Sequence, residues 1–176
     1  CSTGGAEPSA NPPRATGAAL AEPWQAAQEV CGLLRDYVND TADIANRAAA
    51  LVSGSPDPVA RRDAVLAGFD ELIKRSEQHR DTVGAIDAAD LYLGDQVLPD
   101  LLGGAEQAIS ELRQEKTLFA TLDGIADGDR AGRVGQFFNS LEKAMSVVEP
   151  TPTDYPDDDL LAALAAEPAC RFVVQL

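Results

Sequence analysis

The sequence predicts an all-α protein: an up-down-up-down four-helix bundle with a short C-terminal helix and a disordered N-terminal tether. Three observations predict this class. Ala and Leu, interspersed with Glu, Gln and Arg, favour helix. Apolar residues recur at steps of three and four in long segments joined by short links, as in helices that bury one face. The alternating apolar and polar runs that strands require do not occur.

The first two helices have well-marked boundaries. The first is predicted from Pro23 to about Ser53, where a Gly-Ser-Pro sequence ends it. The second is predicted to start near Asp57 and Pro58, because Asp is a good N-cap and Pro fits the first helical position. The apolar stripe of the first helix consists of Val30, Leu34, Tyr37, Thr41, Ile44, Ala48 and Leu51. The stripe of the second consists of Val65, Leu66, Phe69, Leu72, Ile73, Ser76, Val83 and Ile86.

The third helix has a less regular start. We expect a bend or a helix start between Asp87 and Pro99, because residues 87–100 show no clear apolar period. The helix is predicted to end at Gly124, since glycine commonly follows a helix C-terminus. Its apolar residues are Leu98, Leu101, Leu102, Ala105, Ala108, Ile109, Leu112, Phe119 and Leu122.

The fourth helix is predicted to begin near Asp127 or Asp129 and to stop before Pro150. The Pro- and Thr-rich segment 150–156 is predicted to be a stiff, extended connection. Three Asp residues at 157–159 then favour a short terminal helix, because carboxylates cap a helix N-terminus and interact well with its dipole. The chain therefore divides into a flexible tether over residues 1–22 and a helical domain over residues 23–176.

The chain is strongly acidic, with a formal net charge of −15 and a pI of about 4.2. Phosphate binding requires clustered Lys and Arg, so we expect no nucleic-acid partner. No Lys or Arg lies between Arg80 and Arg113, whereas this stretch contains many carboxylates, among them Asp87, Asp90, Asp95 and Asp100. One interpretation is a docking patch for a protein with a basic surface, or a weak cation site. The other is an ordinary solvated face.

The residue types that most catalytic and metal sites require are scarce. His79 is the only histidine, and its charged surroundings suggest a solvated surface position. One His and one Met leave no conventional ligand set for haem, copper or zinc. Residues 127–132 match an EF-hand loop at three positions, but Ala131 and Phe138 stand where oxygen ligands are needed. Phosphate-binding glycine motifs are also absent. We therefore expect no enzyme, no cofactor, no metal and no catalytic residue.

The first residues have a composition typical of a tether. Cys1 is followed by Ser, Thr and Gly, and then by a Pro-, Gly- and Ala-rich stretch to about Glu22 that cannot bury enough surface to fold alone. This arrangement resembles a processed bacterial lipoprotein, and the composition is similar to that of actinobacterial proteins. The resemblance implies that Cys1 carries a diacylglycerol and that the protein is anchored through its acyl chains, which give a stable anchor when there are two. An arbitrary chain boundary at Cys1 is the alternative.

The two remaining cysteines raise a separate question. In an exported protein, an even pair such as Cys31 and Cys170 favours a disulfide. A bridge between them would close nearly the whole domain and contribute about 4–5 kcal/mol on the entropic account. The alternative is two buried thiols that pack as small apolar groups.

These features predict a non-catalytic, membrane-tethered lipoprotein on the outer face of the bacterial cytoplasmic membrane. We expect it to act there as an accessory or scaffold subunit that binds a protein partner. A carrier or receptor for an apolar or cationic small ligand is the alternative. That alternative would need a large internal pocket, with Leu102, Ile109 and Phe138 as its candidate lining.

Overall fold

The computed structural model describes residues 23–148 and 157–167, and it confirms the all-α class. Two short 3-10 turns accompany the α-helices, and no strand occurs within the described ranges. The helices are α1 Pro23–Gly54, α2 Pro58–Gly84, α3 Gly94–Ala120, α4 Arg130–Ser146 and α5 Asp158–Ala166, and the 3-10 turns are Ala88–Asp90 and Asp127–Asp129. The predicted tether over residues 1–22 and the predicted extended connection over 150–156 lie outside the described residues.

The predicted caps of α2 and α5 are both present. The Asp57 carboxylate accepts a hydrogen bond from the Val59 N–H at 3.0 Å, with Pro58 directly after the cap. The Asp157 carboxylate accepts hydrogen bonds from the Asp159 and Leu160 N–H groups at 3.0 and 2.9 Å. These bonds satisfy donors that have no partner within the helix, so the local sequence is enough to start both helices.

The first three helices run antiparallel to their neighbours. Arg47 of α1 pairs with Glu71 of α2 at 2.8 Å, and Asp40, earlier in α1, pairs with Arg75, later in α2, at 2.6 Å. Between α2 and α3, Glu77 pairs with Arg113 at 2.7 Å, and Asp70, earlier in α2, pairs with Lys116, later in α3. The numbering therefore rises along one helix as it falls along the next, as in an up-down bundle.

The fourth position of the bundle is shared by two helices. α1 has 32 residues and α4 has only 17, which at about 1.5 Å per residue leaves nearly half of α1 without α4 beside it. α4 packs along the C-terminal half of α1, where the Thr41 hydroxyl lies 3.7 Å from the Met145 sulfur. α5 also packs on α1, and it starts at the end of the bundle where α2 ends and α3 begins.

Residues 87–100 contain both the expected bend and the expected helix start. A 3-10 turn over Ala88–Asp90 follows α2, and Leu93 then adopts a left-handed backbone with φ 54° directly before α3. Gly94 is required at the next position, because a Cβ there would lie 2.4 Å from the Ala88 carbonyl oxygen. Pro99 lies inside α3 near its start.

The third helix ends earlier than predicted, at Ala120 rather than at Gly124. The physical reason lies in Ile125, which is buried and donates its backbone N–H to the Pro58 carbonyl at 2.9 Å. A helix that continued to Gly124 would not bring this residue to the start of α2. Leu51, predicted in the α1 stripe, is also an exception, since 62% of it is exposed.

The core is aromatic at its centre. The Phe69 ring lies 5.4 Å from the Phe119 ring and 4.9 Å from the Phe137 ring, which joins α2, α3 and α4. Gly68 allows this approach, because a Cβ there would lie 2.8 Å from the Ala48 Cβ and 3.0 Å from the Phe137 ring. None of the described helices is both long enough and apolar enough to cross a membrane.

Candidate functional site

The candidate site is one end of the bundle, formed by the end of α2, the 3-10 turn and the starts of α3 and α5. We call it the acidic end. The four carboxylates singled out by the sequence lie here, and all four are exposed. Asp87 caps the 3-10 turn by accepting from the Ala89 N–H at 2.9 Å, and Asp95 lies in the first turn of α3. Asp90 lies in the turn itself and Asp100 on α3.

A second acidic segment, remote in sequence, joins this end. The Tyr92 hydroxyl donates a hydrogen bond to the Asp157 carboxylate at 2.7 Å across 65 positions. This bond brings Asp158 and Asp159, the exposed first-turn carboxylates of α5, to the same end as Asp95. Each acidic segment is evident in the sequence, but their contact is not, because no local pattern encodes a contact between distant segments.

The hydrogen bond between Tyr92 and Asp157 alters both ionisations. The Leu160 N–H, followed by the Tyr92 hydroxyl, holds the pKa of Asp157 below its usual value. The same bond raises the pKa of Tyr92, because the phenol proton is held by a carboxylate and a phenolate there would face negative charge. Asp157 is therefore ionised, and Tyr92 is protonated, over the physiological pH range.

A shallow hollow of about 410 Å³ lies at the acidic end. Its lining combines small and apolar residues with Tyr92 and Asp95. Arg80 is the last basic residue of α2, and it pairs with its neighbour Asp81 at 2.6 Å. The surface is therefore a small apolar hollow within a strongly negative region. Such a surface can attract a cationic group and receive an apolar one beside it.

The described residues contain no group of three or more His, Cys, Asp or Glu arranged to hold a metal ion. In the segment that resembles an EF-hand loop, Asp127 pairs with Arg61 at 2.6 Å and with Arg130 at 2.5 Å. These two guanidinium groups, Arg130 first, hold the pKa of Asp127 below its usual value. The carboxylate thus serves an ion pair that joins the start of α2 to the start of α4.

Comparison with protein-family models, with curated proteins and with solved structures found no match.

The sequence interpretation of His79 was wrong. His79 is 2% exposed and stacks on Tyr37, with ring centroids 4.6 Å apart. A signal for this position was present, because Leu72, Ser76, His79 and Val83 follow one another at steps of three and four. The polar neighbours of His79 in sequence hid this periodicity.

Cys31 is fully buried on α1 and is disulfide-bonded. Cys1 and Cys170 lie outside the described residues, so the pairing of Cys31 with Cys170 and the lipid on Cys1 stay predictions. The candidate lining of a ligand pocket is also undecided. Ile109 is buried in α3, while Leu102 and Phe138 are half-buried and pack against the core, so the carrier hypothesis stays a prediction.

Proposed function

We propose that this chain is a non-catalytic, membrane-tethered lipoprotein that serves as an accessory or scaffold subunit in the bacterial cell envelope. Its acidic end contacts a protein partner that presents a basic surface. Cys1 carries the acyl chains, and the tether over residues 1–22 lets the bundle reach that partner. The resemblance of Cys1 and its polar, small-residue tether to bacterial lipoproteins supports the location.

The observation that carries the proposed interaction is the meeting of two acidic segments at the end of the bundle where the hollow lies. Residues 87–100 and 157–159 come from distant parts of the chain, and the hydrogen bond from Tyr92 to Asp157 joins them. Negative charges gathered at one end make the electrostatic potential there more negative than that of an evenly charged surface. A partner that neutralises this end would relieve the repulsion and bury the hollow.

The test replaces the charge without disturbing the fold. The patch variant carries Asp87→Asn, Asp90→Asn, Asp95→Asn and Asp100→Asn, and Asn retains the capping ability that Asp87 uses. The control variant removes the same charge from exposed carboxylates elsewhere, through Asp43→Asn, Asp123→Asn, Asp129→Asn and Glu142→Gln. Both variants should show the far-UV circular dichroism of the unchanged protein.

The readout is crosslinking in native membranes followed by affinity capture. The unchanged protein and the control variant should capture the same partner, and the patch variant should lose it by about tenfold or more. The captured protein should have a basic surface, and capture should weaken as salt rises, because added ions screen exposed charges. Equal capture by the patch and control variants would contradict the proposed interaction.

A separate experiment tests the proposed membrane location. Cys1→Ser removes the thiol that would accept the diacylglycerol, so the protein should leave the membrane fraction and lose incorporation of labelled fatty acid. A Ser2→Ala variant is the neighbouring control and should stay in the membrane fraction. Membrane retention of the Cys1→Ser variant would contradict lipid anchoring while leaving the acidic end open to test.

A further inference from the structure

A buried polar layer joins α1 and α2 near the middle of their contact. The Tyr37 hydroxyl lies 2.9 Å from the Ser76 hydroxyl, and Ser76 also donates to the Leu72 carbonyl at 2.9 Å. Because Ser76 has a single proton and uses it on Leu72, Tyr37 must be the donor in their shared bond. His79 covers the Tyr37 ring from α2, with 26° between the two planes.

The imidazole in this layer has an incomplete set of partners. Its Nε2 is buried and makes no hydrogen bond to any described residue. A neutral imidazole tolerates this, because one ring nitrogen then carries no proton and needs no acceptor. A protonated imidazole carries a proton on both nitrogens, and leaving a charged donor unpaired in a protein interior is costly.

Among the described residues, no carboxylate faces this imidazole from the core. The buried residues of α3, α4 and α5 are apolar apart from Ser140, and Tyr37 is the buried titrating group of α1. Glu111 of α3 is mostly buried, but it faces Lys143 of α4 at 3.6 Å. Asp40 is engaged by Arg75 at 2.6 Å.

The charged group that acts on His79 is itself a cation. The Arg75 guanidinium lies 5.7 Å from the centre of the Tyr37 ring, and its charge opposes protonation of the imidazole. Arg61, which unlike Arg75 is fully buried, is bound at the opposite end of the bundle. A proton on His79 would therefore be buried near a like charge, and no described residue offers a compensating partner.

We propose that the stack of His79 on Tyr37 is an acid-sensitive contact, which holds α1 against α2 while the imidazole is neutral and is released by its protonation. The proposed contact lies in the bundle interior and does not depend on the acidic end. It gives the protein a built-in response to acidification of its surroundings.

The direction of the response follows from the two states of the chain. Burial, and then Arg75, lower the pKa of His79 from 6.5 to about 4 in the folded protein. The stability that His79 contributes to the fold is therefore fully present above pH 6.5. It decreases as the pH falls from 6.5 towards 4, and it does not decrease further below pH 4. Between pH 7 and pH 5 the equilibrium constant for unfolding should rise by about 20-fold on this account alone.

The first measurement uses the unchanged protein. His79 is the single histidine, so its imidazole resonances can be followed by NMR without ambiguity. We expect the imidazole to stay neutral well below pH 6.5 and to protonate near pH 4, as the fold loosens. An imidazole that titrates near 6.5 in the folded protein overturns the proposal, and this readout requires no variant to fold.

The second measurement compares urea unfolding at pH 7 and pH 5 for the unchanged protein, His79→Phe and His79→Gln. His79→Phe keeps a ring against Tyr37 and cannot take up a proton, so its unfolding constant should lack the 20-fold rise, within about twofold. His79→Gln also lacks the titration and should show the same flat response. Carboxylates stay largely ionised in this window. Identical pH responses in all three proteins would falsify the acid-sensitive contact.

Discussion

Arg61 of α2 donates a hydrogen bond from Nη1 to the backbone carbonyl of Ile125 at 3.0 Å, 64 positions later in the chain. Its Nε and Nη2 donate to the carbonyls of Ser55 and Pro56 at 2.7 and 3.1 Å. A side chain that is 1% exposed therefore joins the link between α1 and α2 to the link between α3 and α4. The planar guanidinium is suited to this role, because its donors point in several fixed directions.

Replacing Arg61 should be among the most destabilising changes in the described part of the chain. Arg61→Met retains the length of the side chain but leaves one buried and two part-buried hydrogen bonds unmade, so we expect a loss of about 3 kcal/mol or more from the free energy of unfolding. Arg61→Lys should recover only part of this, because one ammonium cannot reach all three carbonyls. Urea unfolding at pH 7 measures the effect.

The matched control is Arg35→Met. Arg35 is 45% exposed at its side chain and, among the described residues, forms an ion pair with its neighbour Asp36 alone, so we expect a change within about 0.5 kcal/mol. If Arg61→Met and Arg35→Met unfold at the same urea concentration, the fork of bonds from Arg61 does not stabilise the fold.

Gly103 and Gly104 should respond in opposite directions to the same substitution. A Cβ on Gly104 would lie 2.3 Å from the Val147 carbonyl oxygen, whereas a Cβ on Gly103 has nothing within 4 Å. Gly104→Ala should therefore destabilise the protein by about 1–3 kcal/mol through displacement of the end of α4. Gly103→Ala should stabilise it by up to about 1 kcal/mol through helix propensity. Thermal unfolding of the pair measures both, and a shift of the same sign in both would contradict the packing of α3 on α4.

Tyr92→Phe should loosen α5 without unfolding the bundle. The change removes the hydroxyl that binds Asp157, the N-cap of α5, so amide hydrogen exchange in α5 should accelerate relative to α2. Asp158→Asn is the control, since it alters a first-turn carboxylate that the hydroxyl does not contact. Unchanged exchange in α5 of Tyr92→Phe would mean that the hydroxyl does not hold this helix.

The hydrogen bond between Tyr92 and Asp157 also predicts that folding stability depends on pH. The pKa of Asp157 is lowered in the folded protein. The stability that this residue contributes is therefore present above the unfolded pKa of 3.8 and is lost as the pH falls through the lower folded pKa. In Tyr92→Phe the pKa of Asp157 should rise, because one of the bonds that favour the carboxylate is gone. Carboxyl NMR titration of both proteins gives the comparison, and an unshifted pKa in the variant would contradict this account.

The predicted disulfide between Cys31 and Cys170 can be tested by alkylation. We expect Cys31 to resist alkylation until the protein is reduced, and Cys170→Ser to release its thiol, whereas Cys1→Ser should not. Cys170→Ser should also lower the free energy of unfolding by about 4–5 kcal/mol on the entropic account. Mass spectrometry after alkylation under denaturing conditions distinguishes the pairings. A Cys31 thiol released by Cys1→Ser would show that the predicted partner is wrong.

The sequence by itself determined the helices and most of their boundaries. The apolar period, the caps at Asp57 and Asp157 and the proline at 58 act within a few residues, so the local chain carries the information. The acidic character of residues 87–100 was also predictable from the sequence, because the sign of a side-chain charge follows from the residue type.

Only the tertiary structure decided which distant groups meet. Three contacts each join residues that are more than 40 positions apart in the chain. They are the stack of His79 on Tyr37, the hydrogen bond from Arg61 to Ile125 and the hydrogen bond from Tyr92 to Asp157. The length of α4 leaves part of α1 open to α5, and this packing brings a second acidic segment to the acidic end. These outcomes depend on how whole helices fit together, which no local pattern of residues records.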